Sequence, residues 1–305
     1  MSKDTASHKR KHLRKIKIGI SVGAIFLLGV GFVLTTHATS KFTKPAIETK
    51  KIPQDIKKTI NAQTVASPAA TLKIPILMYH YVEYVKDKKD TERQKLDVNP
   101  NIFEQQLKTL IAAHYTFITA KELGEILDDK TPLPPNPILL TFDDGHWDLD
   151  TDVLPLLKKY HVHATAYIVS GFIGNNTDSL TQAQLQDVIN SKLVDVGAHT
   201  VHHMSLKGKP LATVQYEVDE SKKTLEEQYH IHVYSFAYPN GSFDQQAINV
   251  VKQAGFTTAA STIAGNEQGD QNRFFLFRVR PGGLTGQPLL TYLNTKWNSD
   301  RMFKE

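Results

Sequence analysis

A chain of 305 residues, 40 % hydrophobic and 22 % charged, has the composition of a globular protein with a buried core. Its net charge of +5 invites a nucleic-acid reading, yet residues 1–17 hold seven Lys or Arg and one Asp, leaving 29 basic against 30 acidic side chains elsewhere. The basicity is confined to a leader, so no phosphate-binding face and no nucleic-acid partner is expected, and the absence of cysteine excludes disulfides and thiolate metal sites.

The basic leader, residues 1–17, runs into IGISVGAIFLLGVGFVL, residues 18–34, which contains neither charge nor Pro. Seventeen such residues just span a bilayer core as a helix and exceed the apolar region of a cleavable signal. With Lys9, Arg10, Lys11, Arg14, Lys15 and Lys17 in front, the amino end stays in the cytoplasm and the remainder lies outside. Residues 18–35 are therefore expected to be a single-pass anchor in the cell membrane. Secretion after cleavage is the alternative, since small residues follow in THATS, although without an A-x-A site. Residues 36–73 mix Lys, Thr, Ala and Pro without a sustained apolar period and read as an extracellular stalk. A domain is expected over 74–305.

From Ile74 onward strand-like and helix-like patterns alternate. The strand candidates are IPILMYHYV, PILLTFDD, HATAYIV, LVDVGAHT, YSFAYP, FTTAAST and FLFRVRP; helical patterns such as NIFEQQLKTLIAAH, DVLPLLKKYH, TQAQLQDVIN, VQYEVDESKKTLEEQY and DQQAINVVKQAG lie between most of them. This alternation predicts an α/β fold with parallel strands, best met by an irregular (β/α) barrel of about seven strands. Chemistry in such a fold belongs at the carboxyl ends of the strands.

Two segments carry it. In LLTFDDGHWD, Asp143 and Asp144 follow an apolar run; a turn accounts for Asp144 and Gly145, but not for a second Asp, because adjacent carboxylates raise one another's proton affinity unless a cation lies between them. In VGAHTVHHMSL, His199 and His203 are four apart, about 13 Å along a strand but about 5–6 Å at Cβ along one helical turn. The chain must leave the strand at His199 and curl if both are to bind one ion, and His202, three from His199, leaves the spacing with one ambiguity. Two His and one Asp suit a borderline cation with positions left open for water and substrate: zinc first, with cobalt, nickel or iron as alternatives.

These residues resemble the motifs of the NodB-type polysaccharide deacetylases. TFDDG resembles the first motif, in which the first Asp is the base and the second a metal ligand; HTVHH resembles the second, H-[S/T]-x-x-H, which selects His199 and His203 over His202. The resemblance covers about residues 74–290. It implies a hydrolase acting on the N-acetyl groups of an N-acetylglucosamine-containing polysaccharide, with Asp144, His199 and His203 on one divalent metal ion and Asp143 as base.

FAYPNG, residues 236–241, is similar to the third motif, with Ala237 where an Arg usually steadies the catalytic Asp and Asn240 where an aromatic residue usually stands. This variant resembles the poly-N-acetylglucosamine deacetylase branch most closely, and implies that the Asn240 backbone amide assists at the oxyanion. The late Leu-x-His motif is missing, since no histidine follows His232. In that branch the missing strand resembles one permuted to the front of the domain, which assigns the general acid to His80 in ILMYHYV. An O-acetyl esterase would use the same metal and base, and a noncatalytic glycan-binding domain would keep the barrel without needing them.

Overall fold

ILMY, PILLTF and ATAYI are buried at every position, as strands covered on both faces must be. The computed structural model describes residues 71–87 and 89–295. The barrel strands are β1 (Ile76–Tyr79), β3 (Pro137–Phe142), β4 (Ala164–Ile168), β5 (Val194–Ala198), β6 (Ser235–Ala237), β7 (Thr258–Ala264) and β8 (Leu276–Arg278), with a further strand, β2 (Thr116–Ile118), paired to β3. Their order is β8-β7-β6-β5-β4-β3-β1, and every pairing is parallel. The Met78 amide donates to the Val279 carbonyl and the Val279 amide to the Ile76 carbonyl, both at 2.9 Å, which brings the ring to near closure between β1 and β8.

All seven expected strands are the seven barrel strands. The two carrying the motifs end at Phe142 and Ala198, and the Asp143 amide still donates to the Tyr79 carbonyl at 2.9 Å and the His199 amide to the Ile168 carbonyl at 3.0 Å, so both residues sit on the last rung of the ladder. Parallel neighbours require crossovers, and helices supply them. In α1 (Pro100–Ala112), capped by Asn99, Phe103, Leu107 and Leu110 recur at helical spacing and are buried. The sequence patterns did not reveal β2 or α2 (Ala120–Leu127): three residues are too few to show alternation, and α2 is announced mainly by its capping box, Thr119 with Glu122. Further along lie α3 (Leu154–Tyr160), α4 (Gln182–Asn190), α5 (Leu211–Gln215), α6 (Ser221–Tyr229), α7 (Gln245–Gln253) and α8 (Gly286–Leu293).

Leu72–Lys73 pair antiparallel with Glu267–Gln268, so order begins at least two residues ahead of Ile74. The expected leader, 1–17, the expected anchor, 18–35, and the expected stalk as far as residue 70 lie outside the described residues. No described helix is long and apolar enough to cross a membrane.

Candidate active site

Every candidate side chain stands at the carboxyl end of a strand. His80 follows β1, Asp143 and Asp144 follow β3, His199 follows β5, and Asn240 lies three residues beyond β6. Asp144 adopts φ +74 and Gly145 φ +74, a left-handed pair that turns the chain sharply away from β3. Beyond β5, Thr200 at φ +67 and His203 at φ +54 form the expected curl. It brings His199 Nε2 within 3.3 Å and His203 Nε2 within 3.1 Å of Asp144 Oδ1. One donor atom from each of Asp144, His199 and His203 falls in a group whose members all lie within 4.8 Å of one another. His202 is outside it: its ring turns to Glu217, with Nδ1 2.7 Å from Oε1.

Asp143 is buried, and Arg278 grips it with two parallel bonds, Nη1 to Oδ1 and Nη2 to Oδ2, each 2.7 Å. Arg278 is itself buried; its Nε donates to the Ser261 carbonyl at 2.8 Å and its Nη1 to Thr141 Oγ1 at 3.1 Å. The Arg missing at Ala237 is therefore replaced from β8. The sequence held a signal for this, since a charge inside the apolar run FLFRV must find an anion if the strand is covered on both faces. His80 Nε2 lies 4.0 Å from Asp143 Oδ2. Asn240, at φ +56, donates through its side-chain amide to Ser205 Oγ at 3.2 Å, two residues past His203. Gly241 follows at φ +59, where a Cβ would come within 1.9 Å of Thr262 Oγ1, so the turn admits only glycine there.

Another histidine, with no sequence motif to mark it, completes the surroundings. His146 Nε2 stands 3.4 Å from Asp144 Oδ2, while Nδ1 donates to the Asp178 carbonyl at 3.2 Å and the ring stacks on Tyr81 with centroids 3.9 Å apart.

Burial opposes charge throughout this cluster, and specific partners overcome it at the carboxylates. Arg278 holds Asp143 below the usual carboxylate range, and the facing histidines hold Asp144 well below it, both against burial. Burial pushes His80 down to about 4, against the pull of Asp143 and Asp144. His203 is raised, because the Asp144 carboxylate outweighs its burial.

These residues fit a divalent cation. His199 Nδ1 donates to the Ala237 carbonyl at 2.7 Å, which leaves a lone pair on Nε2 facing the carboxylate. Asp144 Oδ1 is buried and has no hydrogen-bond partner despite two imidazole nitrogens nearby. Lone pairs that converge on a carboxylate oxygen without hydrogen bonds repel unless a positive ion lies among them. Asp144 and His203 keep 17 % and 29 % of their side-chain surface exposed, so the site opens at the barrel mouth. Two clefts, of about 300 and 510 Å³, open elsewhere, one beside Val194 and Ser235 at the amino ends of β5 and β6 and one along β2, and contain none of these groups.

A family profile described as polysaccharide deacetylase matches residues 130–259, a span that contains both motifs. Over that span the chain is similar to the polysaccharide deacetylases. Over 285 residues it is 29 % identical to the provisionally named polysaccharide deacetylase YxkH of Bacillus subtilis (strain 168), covering 89 % of this chain and 97 % of that one. It is 25 % identical over 219 residues to poly-beta-1,6-N-acetyl-D-glucosamine N-deacetylase of Staphylococcus aureus (strain MSSA476), covering 68 % of this chain and 74 % of that one. Among solved structures, the Streptococcus pyogenes deacetylase PplD in complex with acetate is similar, with a TM-score of 0.68 and 26 % identity over 74 % of this chain and all of that one.

Proposed function

We propose that this protein is a polysaccharide deacetylase, a metal-dependent N-deacetylase that removes acetyl groups from N-acetylglucosamine units of a cell-surface polysaccharide, either an exopolysaccharide or peptidoglycan. The observation that carries the reading is the division of labour between adjacent carboxylates. Asp144 Oδ1 faces the imidazole nitrogens of His199 and His203, whereas Asp143 is locked to Arg278 with its carboxylate beside His80.

Amide hydrolysis needs an activated water, a stabilised oxyanion and a proton for the departing amine. One divalent ion on Asp144, His199 and His203, most simply Zn²⁺, would acidify a water and polarise the acetyl carbonyl. Asp143 takes the water's proton. Its pKa, held down by Arg278 against burial, keeps it ionised for this role at neutral pH. The Asn240 backbone amide donates to the oxyanion. His80 delivers the proton to the amine, and at 4.0 Å from Asp143 it is close to the group that collected one. Similarity to the Staphylococcus aureus enzyme supports a β-1,6-linked N-acetylglucosamine polymer as the substrate.

We further propose that residues 18–35 anchor the protein and that the domain lies outside the cell, a reading supported by the basic leader and the uncharged run behind it. Mass spectrometry of wall glycan and exopolysaccharide after incubation with the purified protein tests the function: each deacetylated sugar loses one acetyl group. Glycans left unchanged while O-acetyl esters are cleaved would identify an esterase instead.

A further inference from the structure

His202 lies between Val201 and the metal-facing His203, yet its ring takes no part in the metal group. Its orientation is nevertheless fixed. Glu217, buried, accepts from the Val201 amide at 2.9 Å, the His202 amide at 3.0 Å and His202 Nδ1 at 2.7 Å. A buried carboxylate is costly unless its lone pairs are satisfied, and here they are spent on one loop and one ring. That ring stays 57 % exposed. The neighbouring Tyr216 is 53 % exposed; its ring centre lies 6.3 Å from that of His202, with the two planes 17° apart.

The local backbone explains how one segment supplies both the inward carboxylate and the outward ring. Tyr216–Glu220 forms a π-helical turn between α5 and α6, a widened turn of the kind frequent at functional sites. Anchoring the loop requires Glu217 alone. It does not account for an exposed tyrosine lying nearly parallel to an exposed, immobilised imidazole.

We propose that Tyr216 and His202 form a carbohydrate-stacking subsite next to the metal group, engaging a sugar unit adjacent to the one that loses its acetyl group. The inference rests on the proposed deacetylase function and extends it to recognition of the polymer. Pyranose rings present C–H faces that pack on flat aromatic surfaces, and a neutral polymer offers such faces at each unit. Continuity with the site comes from the chain itself, since His202 and the metal-facing His203 are consecutive. Loss of such a ring contact should weaken binding by up to about tenfold, or ~1.4 kcal/mol.

The test compares full-length wild type, Tyr216→Ala and Tyr216→Phe on β-1,6-linked N-acetylglucosamine oligomers from dimer to hexamer, with an aryl acetate as the small reference substrate and melting temperatures on the same preparations. For Tyr216→Ala, the ratio of hexamer to aryl acetate kcat/KM should fall about five- to tenfold, mainly through KM, and the dimer ratio should fall less. Tyr216→Phe should keep the wild-type ratios. Ratios unchanged at every length, or a loss shared equally by the aryl acetate together with a lowered melting temperature, would overturn the subsite. Wild type that turns over the aryl acetate but releases no acetate from any oligomer would overturn the deacetylase reading itself, and the subsite with it.

Discussion

Arg278→Met isolates the contribution of the buried ion pair. The substitution keeps an unbranched apolar stem, though a shorter one, and leaves Asp143, 3 % exposed, without the two 2.7 Å bonds it receives in the wild type. Removing one partner of a buried pair costs about 3–5 kcal/mol, because the other charge stays buried. In the wild type Asp143 has a depressed pKa, so it contributes stability above its unfolded value of ~3.9 that is lost as pH falls through the folded value. Without Arg278, burial is the main remaining influence and raises that pKa. The deficit of the variant should thus be full at pH 7.5 and shrink toward pH 4.5, where the carboxyl can protonate. Urea unfolding at both values measures it. Asp143→Asn/Arg278→Met should regain much of the lost stability, since neither charge remains, but no activity. Acetate release by Arg278→Met should fall at least about 100-fold, the scale of a misplaced catalytic group. A deficit equal at both pH values, or a double variant no more stable than Arg278→Met, would refute the reasoning.

The division between the carboxylates predicts that Asp143→Asn keeps bound metal but loses nearly all turnover, whereas Asp144→Asn and His203→Ala lose both; metal analysis of the purified variants decides, and equal metal loss in all three would contradict the assignment. His80→Ala should retain metal and lose about 100- to 10,000-fold on an N-acetylated sugar, but much less on an aryl acetate whose phenolate leaves unaided; an equal loss on both would remove His80 as the proton donor. Asp148, buried and pushed up to about 6 chiefly by burial, accepts from the Val82 amide. A raised folded pKa contributes stability that is full below ~4 and lost as pH rises through about 6, so Asp148→Asn should raise the stability at pH 8, by about 3 kcal/mol at most, and with it the melting temperature, and change both little at pH 4. A lower melting temperature at pH 8 would show that the ionised carboxylate stabilises the fold.

The barrel was legible because buried parallel strands are apolar at nearly every position, a pattern that survives without tertiary information. The grouping of Asp144, His199 and His203 was legible because converging ligands are costly unless they share an ion, and Asp143 stood out because a turn does not explain a second carboxylate. Spacing alone left His202 open and the motif resemblance set it aside, but the physical cause was not legible, since it depends on Glu217, fifteen residues further along, reaching back to the loop. His146 carries no spacing signal at all; its position follows from the turn at Gly145 and the carbonyl of Asp178. Arg278 was visible as a charge inside an apolar run, but its partner became identifiable only once β8 and β1 were seen to meet, which sets the arginine among Thr141, Asp143 and Ser261.

Acetate release from β-1,6-linked N-acetylglucosamine polymer by the full-length protein in detergent, stripped of metal and then reloaded with one equivalent of Zn²⁺, tests the central claim most directly. The account predicts no release from the stripped protein, recovery on reloading, and a reloaded Asp143→Asn that binds the ion and stays inactive. Release by the stripped protein, or undiminished turnover by Asp143→Asn, would contradict it.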